Sequence, residues 1–145
     1  MALDFTADFS PLEKALRSLS EAIESTTNDI FMASLLESQR RTMRAGVIQN
    51  FEFSYELSWK MLRRQLIAEE DQTTITTLSR KDLYRFAAQK GVIADPEIWF
   101  LFHHARNLTS HTYDEQTADE VYKITLQFLP AALDLLTQLN ARNPI

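Results

Sequence analysis

The sequence predicts an all-α protein, an antiparallel up-and-down bundle of four to five main helices that forms a single domain over residues 1–145. The chain has only two glycines and four prolines, too few for the many turns of a β-sandwich or barrel. Apolar residues make up 45% of the chain and recur at intervals of three and four, the spacing of a buried helical face. A chain of this length can bury a substantial core.

The first helix is predicted to begin at Ser10, which can cap the helix, with Pro11 at the first helical position and Glu13 completing a capping box. Polar residues 25–29 predict a break. Residues 30–37 fit a short helix or an ordered loop equally well. The apolar positions of the first helix are Leu12, Leu16, Leu19 and Ile23.

The longest helix is predicted over about residues 39–69, and it is apolar on two opposite sides. Such a helix either lies between layers of the bundle or places one side against another chain. Glu52, Glu56, Lys60 and Arg63 form a charged face between the apolar sides, and Ser54 and Ser58 form a small-residue face. The main stripe is Ile48, Phe51, Tyr55, Trp59, Leu62 and Leu66, and the second stripe is Phe53, Leu57 and Met61.

Capping residues predict two further helices after a polar connection over residues 71–78. Ser79 caps the first of them, and Gly91 ends it. Asp95 caps the second, with Pro96 at its first position. The predicted apolar positions are Leu83, Phe86 and Ala87 in one helix and Ile98, Phe102, Ala105 and Leu108 in the other.

Residues 109–111 predict a break, and the last helix is predicted from about residue 117 to 140. Pro130 is expected to kink it, because proline removes a backbone hydrogen bond and clashes with the preceding turn. The residues predicted to face the core are Val121, Ile124, Phe128, Leu129, Leu133, Leu136 and Leu139.

Composition excludes several classes of function. The chain has no cysteine, so disulfides, thiolate metal sites and cysteine nucleophiles are excluded. Residues 1–5 do not have the pattern of a secretory signal, and no apolar run approaches the ~20 residues that span a bilayer. We therefore expect a soluble, cytoplasmic protein without a membrane partner. A net charge of −5 argues against a general nucleic-acid coat, and the basic clusters are interpreted first as solvated helix faces.

Residues 106–113 concentrate reactive groups within eight positions: Arg106, Asn107, His111 and Tyr113. A guanidinium suits phosphate, and an imidazole transfers protons near neutral pH. His103 lies three residues before Arg106 on the same helix and can support the site. The segment is therefore a candidate for phosphodiester chemistry. Spacing alone favours a structural interpretation instead, with a helix-end arginine bonded to carbonyls, a capping histidine and a tyrosine packed under the loop.

A metal site is the weaker alternative. It would use His103, His104 and His111, joined by Asp114 or Glu115. Adjacent histidines on a helix point ~100° apart, so they do not converge easily on one ion. The chain also lacks a P-loop, a dinucleotide fingerprint and a nucleophile elbow. We therefore predict neither a metal nor a cofactor.

Residues 106–113 fit R-x-x-x-x-H-x-Y, the motif of the HEPN superfamily, and the chain resembles its HepT-type members, described as nucleotidyltransferase substrate-binding proteins. Two other segments carry the resemblance. Residues 51–60 read FEFSYELSWK and resemble the family's long second helix. Residues 91–93 and 97–99 resemble the approach to its motif helix. The resemblance extends from about Leu12 to Leu139.

The resemblance implies a HEPN-like homodimer whose two motifs face each other, with Phe53, Leu57 and Met61 as candidates for the interface. It implies a partner, a small MNT-type nucleotidyltransferase. The implied activity is that of a toxin in a toxin–antitoxin pair, a metal-independent endoribonuclease neutralised by that transferase. The alternative is a non-catalytic substrate-binding or adaptor subunit of the transferase.

The resemblance also assigns residue roles. Arg106 and His111 would be catalytic, Asn107 would support the arginine, and Tyr113 would accept an adenylyl group from the partner. Cleavage through a ribose 2′-hydroxyl needs a base and an acid, and a two-fold axis would supply two motif histidines. Two departures stand out: Ala105 replaces an acidic residue that often precedes the arginine, and the connection over residues 25–39 is long.

Overall fold

The computed structural model describes residues 8–143, and within them every regular element is helical. Residues 1–5, on which the expectation about a secretory signal rests, lie outside this range. The bundle class is confirmed. The elements are α1 Ser10–Thr27, α2 Asp29–Ala33, α3 Glu37–Glu69, α4 Gln72–Thr76, α5 Arg80–Gln89, α6 Pro96–Leu108, a 3₁₀ turn Thr109–His111, and α7 Glu115–Arg142.

Four long helices, α1, α3, α6 and α7, form the bundle, and α5 packs beside α6. Phe128 of α7 lies at the centre of the core, with no exposed surface. The rings of Phe51 and Phe102 meet it edge to face, with centroids 5.1 and 5.2 Å away. Trp99 packs against the same ring at 5.9 Å. Aromatic residues from α3, α6 and α7 therefore fix the relative positions of the helices that carry the site.

The predicted cap of α1 is wrong. Ser10 is the first residue of the helix, and its backbone N–H donates to Oδ1 of Asp8 at 3.0 Å. Hydrogen bonds from Ser10 lower the pKa of Asp8. The Asp8 carboxylate thus accepts from the N–H of the first helical residue, one of the N–H groups at a helix start that have no partner within the helix.

Other boundaries follow the predicted caps. Ser79 and Asp95 cap α5 and α6 through their side chains, and Gly91 takes a φ of +79°, which suits glycine after a helix. Residues 30–37 contain both features: the short helix α2, capped by Asn28, ends at Ala33, and a short connection then leads to α3. Residues 71–78, predicted as a connection, contain a further helix, α4.

Packing within the chain accounts for most of the two apolar sides of α3. Ser54 and Ser58 are fully buried, so the small-residue face also lies inside the bundle. Met61 is buried and Leu57 is partly buried, whereas 63% of the Phe53 side chain is exposed. Of the second stripe, Phe53 is therefore the residue best placed to meet another molecule.

Two expectations for the buried faces need correction. Leu133 was predicted to face the core, but it is 44% exposed, and Ala132 and Leu135 are buried in its place. Trp99, absent from the predicted stripe of α6, is almost fully buried.

Pro130 lies within one continuous helix. Within residues 8–143, no helix combines the length and apolar character required to cross a bilayer.

Candidate functional site

The motif segment connects the end of α6 to the start of α7. It contains the last residues of α6, the 3₁₀ turn and the cap of α7. Asp114 caps α7 and accepts hydrogen bonds from the backbone N and the Oγ1 of Thr117, at 3.0 and 2.9 Å. These bonds lower the pKa of the Asp114 carboxyl. The segment is therefore held at both ends by helices that belong to the core.

Arg106 is fixed by groups on α3 and on the 3₁₀ turn. Its Nε lies 3.3 Å from Oε1 of Glu56, and its Nη1 lies 3.5 Å from Oε2 of Glu52. The Nε contact is an ion pair without hydrogen-bond alignment. Nη1 also donates to Oγ1 of Thr109 at 3.0 Å, which ties the guanidinium to the turn that follows. The side chain remains 32% exposed, so one part of it can reach a ligand.

His111 and Tyr113 are exposed on the turn. Tyr113 is 86% exposed, and its ring meets that of His111 edge-on, with centroids 6.1 Å apart. Within residues 8–143 neither side chain makes a hydrogen bond. This geometry excludes the alternative of a capping histidine with a tyrosine packed beneath the loop. Asn107 is exposed beside Arg106.

His103 belongs to a second cluster, one turn earlier on α6. Its Nδ1 lies 3.2 Å from the Tyr55 hydroxyl and 3.3 Å from Nη1 of Arg80. Burial lowers the pKa of His103, and the charge of Arg80 lowers it further. The Tyr55 hydroxyl also bonds the Tyr84 hydroxyl at 2.5 Å. Burial raises the pKa of both tyrosines.

Two depressions border the motif. A groove of about 1060 Å³ runs between α3 and the start of α7, and Tyr113 and Glu52 line it with Arg41 and Arg44. A smaller depression of about 530 Å³ contains Arg106, Glu52, Glu56 and Phe53. Glu52 lines both, so the arginine and the tyrosine face adjoining surfaces. Among residues 8–143, no three His, Asp or Glu side chains are arranged to hold a metal ion.

Comparison with known proteins places the chain in a family. Residues 7–141 match the family described as "Nucleotidyltransferase substrate binding protein like". The chain belongs to this family. It is also 45% identical over 103 residues to a Haemophilus influenzae protein named "Probable ribonuclease HepT", with 70% of each chain covered.

Solved structures of similar proteins share the fold. A Haemophilus influenzae structure, described as the fold of a substrate binding domain of a nucleotidyltransferase, is 36% identical, with a TM-score of 0.88. The match covers 92% of this chain and 99% of that one. A structure from Thermus thermophilus is 26% identical, with a TM-score of 0.68, over 88% and 98% of the two chains. The family resemblance inferred from the motif is thus confirmed.

The sequence did not predict that residues of α3 and α5 contribute to the candidate site. Glu52 and Glu56 were assigned only to the charged face of the long helix, but they pair with Arg106. Their spacing of four residues puts them on one face of α3, which was the available signal. Ala105, the departure noted in the motif, is fully buried, so the carboxylates beside the arginine come from α3. Arg80 belongs to the basic clusters that were interpreted as solvated helix faces, but it is half-buried against Trp59.

Proposed function

We propose that this protein is a HepT-like toxin of a toxin–antitoxin pair, a metal-independent endoribonuclease that acts as a homodimer. In this proposal an MNT-type nucleotidyltransferase neutralises it. The observation that carries the proposal is the arrangement of the R-x-x-x-x-H-x-Y motif: Arg106 is held by Glu52, Glu56 and Thr109, and His111 is exposed. The relative named as a probable ribonuclease supports the same activity.

The proposed chemistry assigns one role to each motif side chain. One His111 removes the proton of a ribose 2′-hydroxyl, whose oxygen attacks the adjacent phosphorus. The bond from phosphorus to the 5′-oxygen breaks, and that oxygen takes a proton from a second histidine. The products are a 2′,3′-cyclic phosphate and a 5′-hydroxyl. Arg106 offsets charge on the phosphorane-like transition state, and Asn107 is a polar neighbour able to hold the phosphate.

A homodimer supplies the second histidine. One chain carries a single motif histidine, and its exposure leaves room for the same residue of a partner across a two-fold axis. Phe53 lies in the same depression as Arg106 and is exposed, so it is the leading candidate for the interface. Leu57 and Met61 contribute less exposed surface.

Tyr113 is the proposed site of neutralisation. Its exposed phenol can attack the α-phosphorus of ATP held by the transferase, forming a Tyr–AMP ester and releasing pyrophosphate. An adenylyl group on Tyr113 would lie against the His111 ring and beside the groove lined by Arg41 and Arg44. It would therefore obstruct access of RNA to the motif.

The family description and the Haemophilus structure favour one alternative, a non-catalytic adaptor that binds substrate for a nucleotidyltransferase. In that case the groove beside Tyr113 would hold substrate, and His111 would have no role in bond cleavage. The two proposals differ in whether the purified protein cleaves RNA.

The deciding experiment is cleavage of RNA by the purified protein, with and without chelator. We expect cleavage that chelator does not reduce. We expect His111→Ala to abolish it and His104→Ala, a change at an exposed histidine outside the motif, to leave it intact. If the wild type and His111→Ala are equally inert, the ribonuclease proposal fails and the adaptor remains. A monomer at micromolar concentration would contradict the shared site.

A further inference from the structure

Arg80 is half-buried, and no carboxylate in residues 8–143 forms an ion pair with it. It is the first residue of α5, and its guanidinium carbon lies 3.8 Å from the centroid of the Trp59 ring. Nη1 donates to the Tyr55 hydroxyl at 3.2 Å and lies 3.3 Å from Nδ1 of His103. The guanidinium is thus held by aromatic and neutral groups from α3 and α6.

Partly buried cations in the described chain differ in their partners. Arg142 pairs with Glu69 at 2.7 Å, whereas Nη1 of Arg40 donates to the backbone carbonyls of Met32 and Leu35. Removing a cation from water without a counter-ion is unfavourable, and such groups are enriched where proteins bind charged ligands. A guanidinium has five N–H donors, and the hydrogen-bond contacts of Arg80 in the described chain involve only Nη1. Donors therefore remain for an anion.

His103 is arranged to assist the same anion. Arg80 can only donate, so Nδ1 of His103 accepts, and the neutral ring then has its proton on Nε2. The effect of burial and Arg80 on the pKa of His103 favours this neutral form. The Nε2–H group can donate a hydrogen bond to a phosphate oxygen. Glu56 is the acidic group that acts on His103, and its carboxylate is engaged by Arg106.

The cluster is next to the motif. His103 precedes Arg106 by three residues, a rise of about 4.5 Å along α6. On the other side of the cluster, Lys81 and Arg85 flank the Phe100 ring, at 5.5 and 5.1 Å from its centroid. Alternating cations and aromatic rings are typical of surfaces that bind single-stranded nucleic acid. Arg85 also pairs with Asp82, so Arg80 and Lys81 carry most of the local positive charge.

We propose that Arg80, stacked on Trp59 and bonded to His103, forms a second phosphate-binding subsite that holds the RNA backbone next to the phosphate at Arg106. This inference rests on the proposed function, because it assumes that RNA is the ligand. It assigns to α5 a role in positioning RNA, and Arg80 itself does not take part in bond cleavage.

The test measures binding of a single-stranded RNA that cannot be cleaved because every 2′-hydroxyl is methylated. We expect Arg80→Gln to weaken binding about tenfold, as for loss of one charge-assisted contact. The slope of log K against log salt should fall by about 0.7 per chain, the value for one phosphate of a single strand. Arg17→Gln, at an exposed arginine of α1, should change neither quantity. Arg80→Lys should restore the salt slope and recover only part of the affinity.

Equal affinity of Arg80→Gln and the wild type would overturn the subsite, as would a wild type that binds no RNA. Because the RNA is inert, a wild type that binds it but never cleaves RNA would defeat the ribonuclease proposal and leave the subsite standing. Thermal unfolding of each variant identifies a loss of fold.

A measurement on the wild type covers the case in which Arg80→Gln does not fold. Titration with the methylated RNA should shift the indole N–H resonance of Trp59 and leave that of Trp99, which is buried in the core, in place. Inorganic phosphate at equal concentration should produce a smaller shift if the ligand is the RNA backbone. A Trp59 resonance that neither ligand moves would refute the assignment, and an equal response to both would reassign the site to free phosphate.

Discussion

Replacing Glu56 by glutamine should tighten RNA binding while slowing cleavage. The carboxylate lies 3.3 Å from Nε of Arg106 and competes with phosphate for the guanidinium. Glutamine has the same length and keeps an oxygen acceptor, so the change removes charge with little change of shape. The second carboxylate, Glu52 at 3.5 Å, provides a matched variant on the same helix face.

The magnitude follows from distance and exposure. Two unit charges about 3.5 Å apart interact by about 1 kcal/mol at the dielectric constant of water and about 5 kcal/mol at an effective value of about 20. The side chains of Arg106 and Glu56 are 32% and 36% exposed, so solvent screening places the net loss of stability at about 0.5–1 kcal/mol. A phosphate about 7 Å from the lost charge gains roughly 1 kcal/mol, or about fivefold in affinity.

Cleavage should respond in the opposite direction. Without Glu56 the guanidinium loses one of the two carboxylates that hold it, and a less well-oriented arginine stabilises the transition state less. A lower KM with a lower kcat is therefore expected. The assay is single-turnover cleavage together with binding of methylated RNA, for Glu56→Gln, Glu52→Gln and the double variant. Glu13→Gln, which affects an exposed ion pair on α1, is the control.

An affinity that stays within about twofold of the wild type in the double variant would refute this reasoning, since the loss of the Glu56 charge alone is expected to give about fivefold. It would mean that the phosphate does not approach Arg106. Weaker binding in Glu56→Gln would instead assign the carboxylate a direct contact with RNA, for example with a 2′-hydroxyl.

Three further predictions test the fold and the second cluster. Phe128→Ala should lower the free energy of unfolding by about 3–5 kcal/mol in urea denaturation, whereas Leu133→Ala on the same helix should cost under about 1 kcal/mol. Tyr84→Phe should cost about 1 kcal/mol by the same measurement, because the Tyr55 hydroxyl keeps its other partners. The pKa of His103 is lower in the folded chain than in the unfolded chain, so the folded chain binds fewer protons at this residue. The free energy of unfolding therefore falls as pH drops below the unfolded pKa of about 6.5. His103→Gln should therefore flatten the decline of stability below about pH 6.5, and an unchanged decline would contradict the lowered pKa.

The helices could be predicted where apolar spacing and capping residues agree. Helix α6 is an example, since Asp95, Pro96 and a buried stripe all indicate the same start. Helix α4 could not be predicted, because five residues are too few to show a period and only Ile75 is buried. The start of α1 was misassigned by one residue, because the N-cap is Phe9, which has no side-chain acceptor, although Ser10 is the better capping residue by type.

The candidate site also has one part that could be predicted from the sequence and one part that could not. The motif of Arg106 and His111 is contiguous in sequence, so it was visible without a structure. The contacts of Arg106 with Glu52 and of His103 with Arg80 depend on how α3 and α5 are rotated against α6. That rotation is set by the packing of large aromatic rings, which a pattern of apolar residues does not specify.

The formal charges around the motif show why a second chain alone does not complete an RNA site. Arg106 contributes one positive charge, and Glu52 and Glu56 contribute two negative charges, so each motif is net negative toward a phosphate. A second copy would add a histidine for acid–base chemistry, but it would also repeat the same unfavourable balance. Positive charge must therefore come from outside the motif. Arg80 meets that requirement, because it lacks a carboxylate partner within the described chain and is adjacent to the motif through His103. Substitution of Arg80 is therefore a more direct test of RNA binding than any change within the motif.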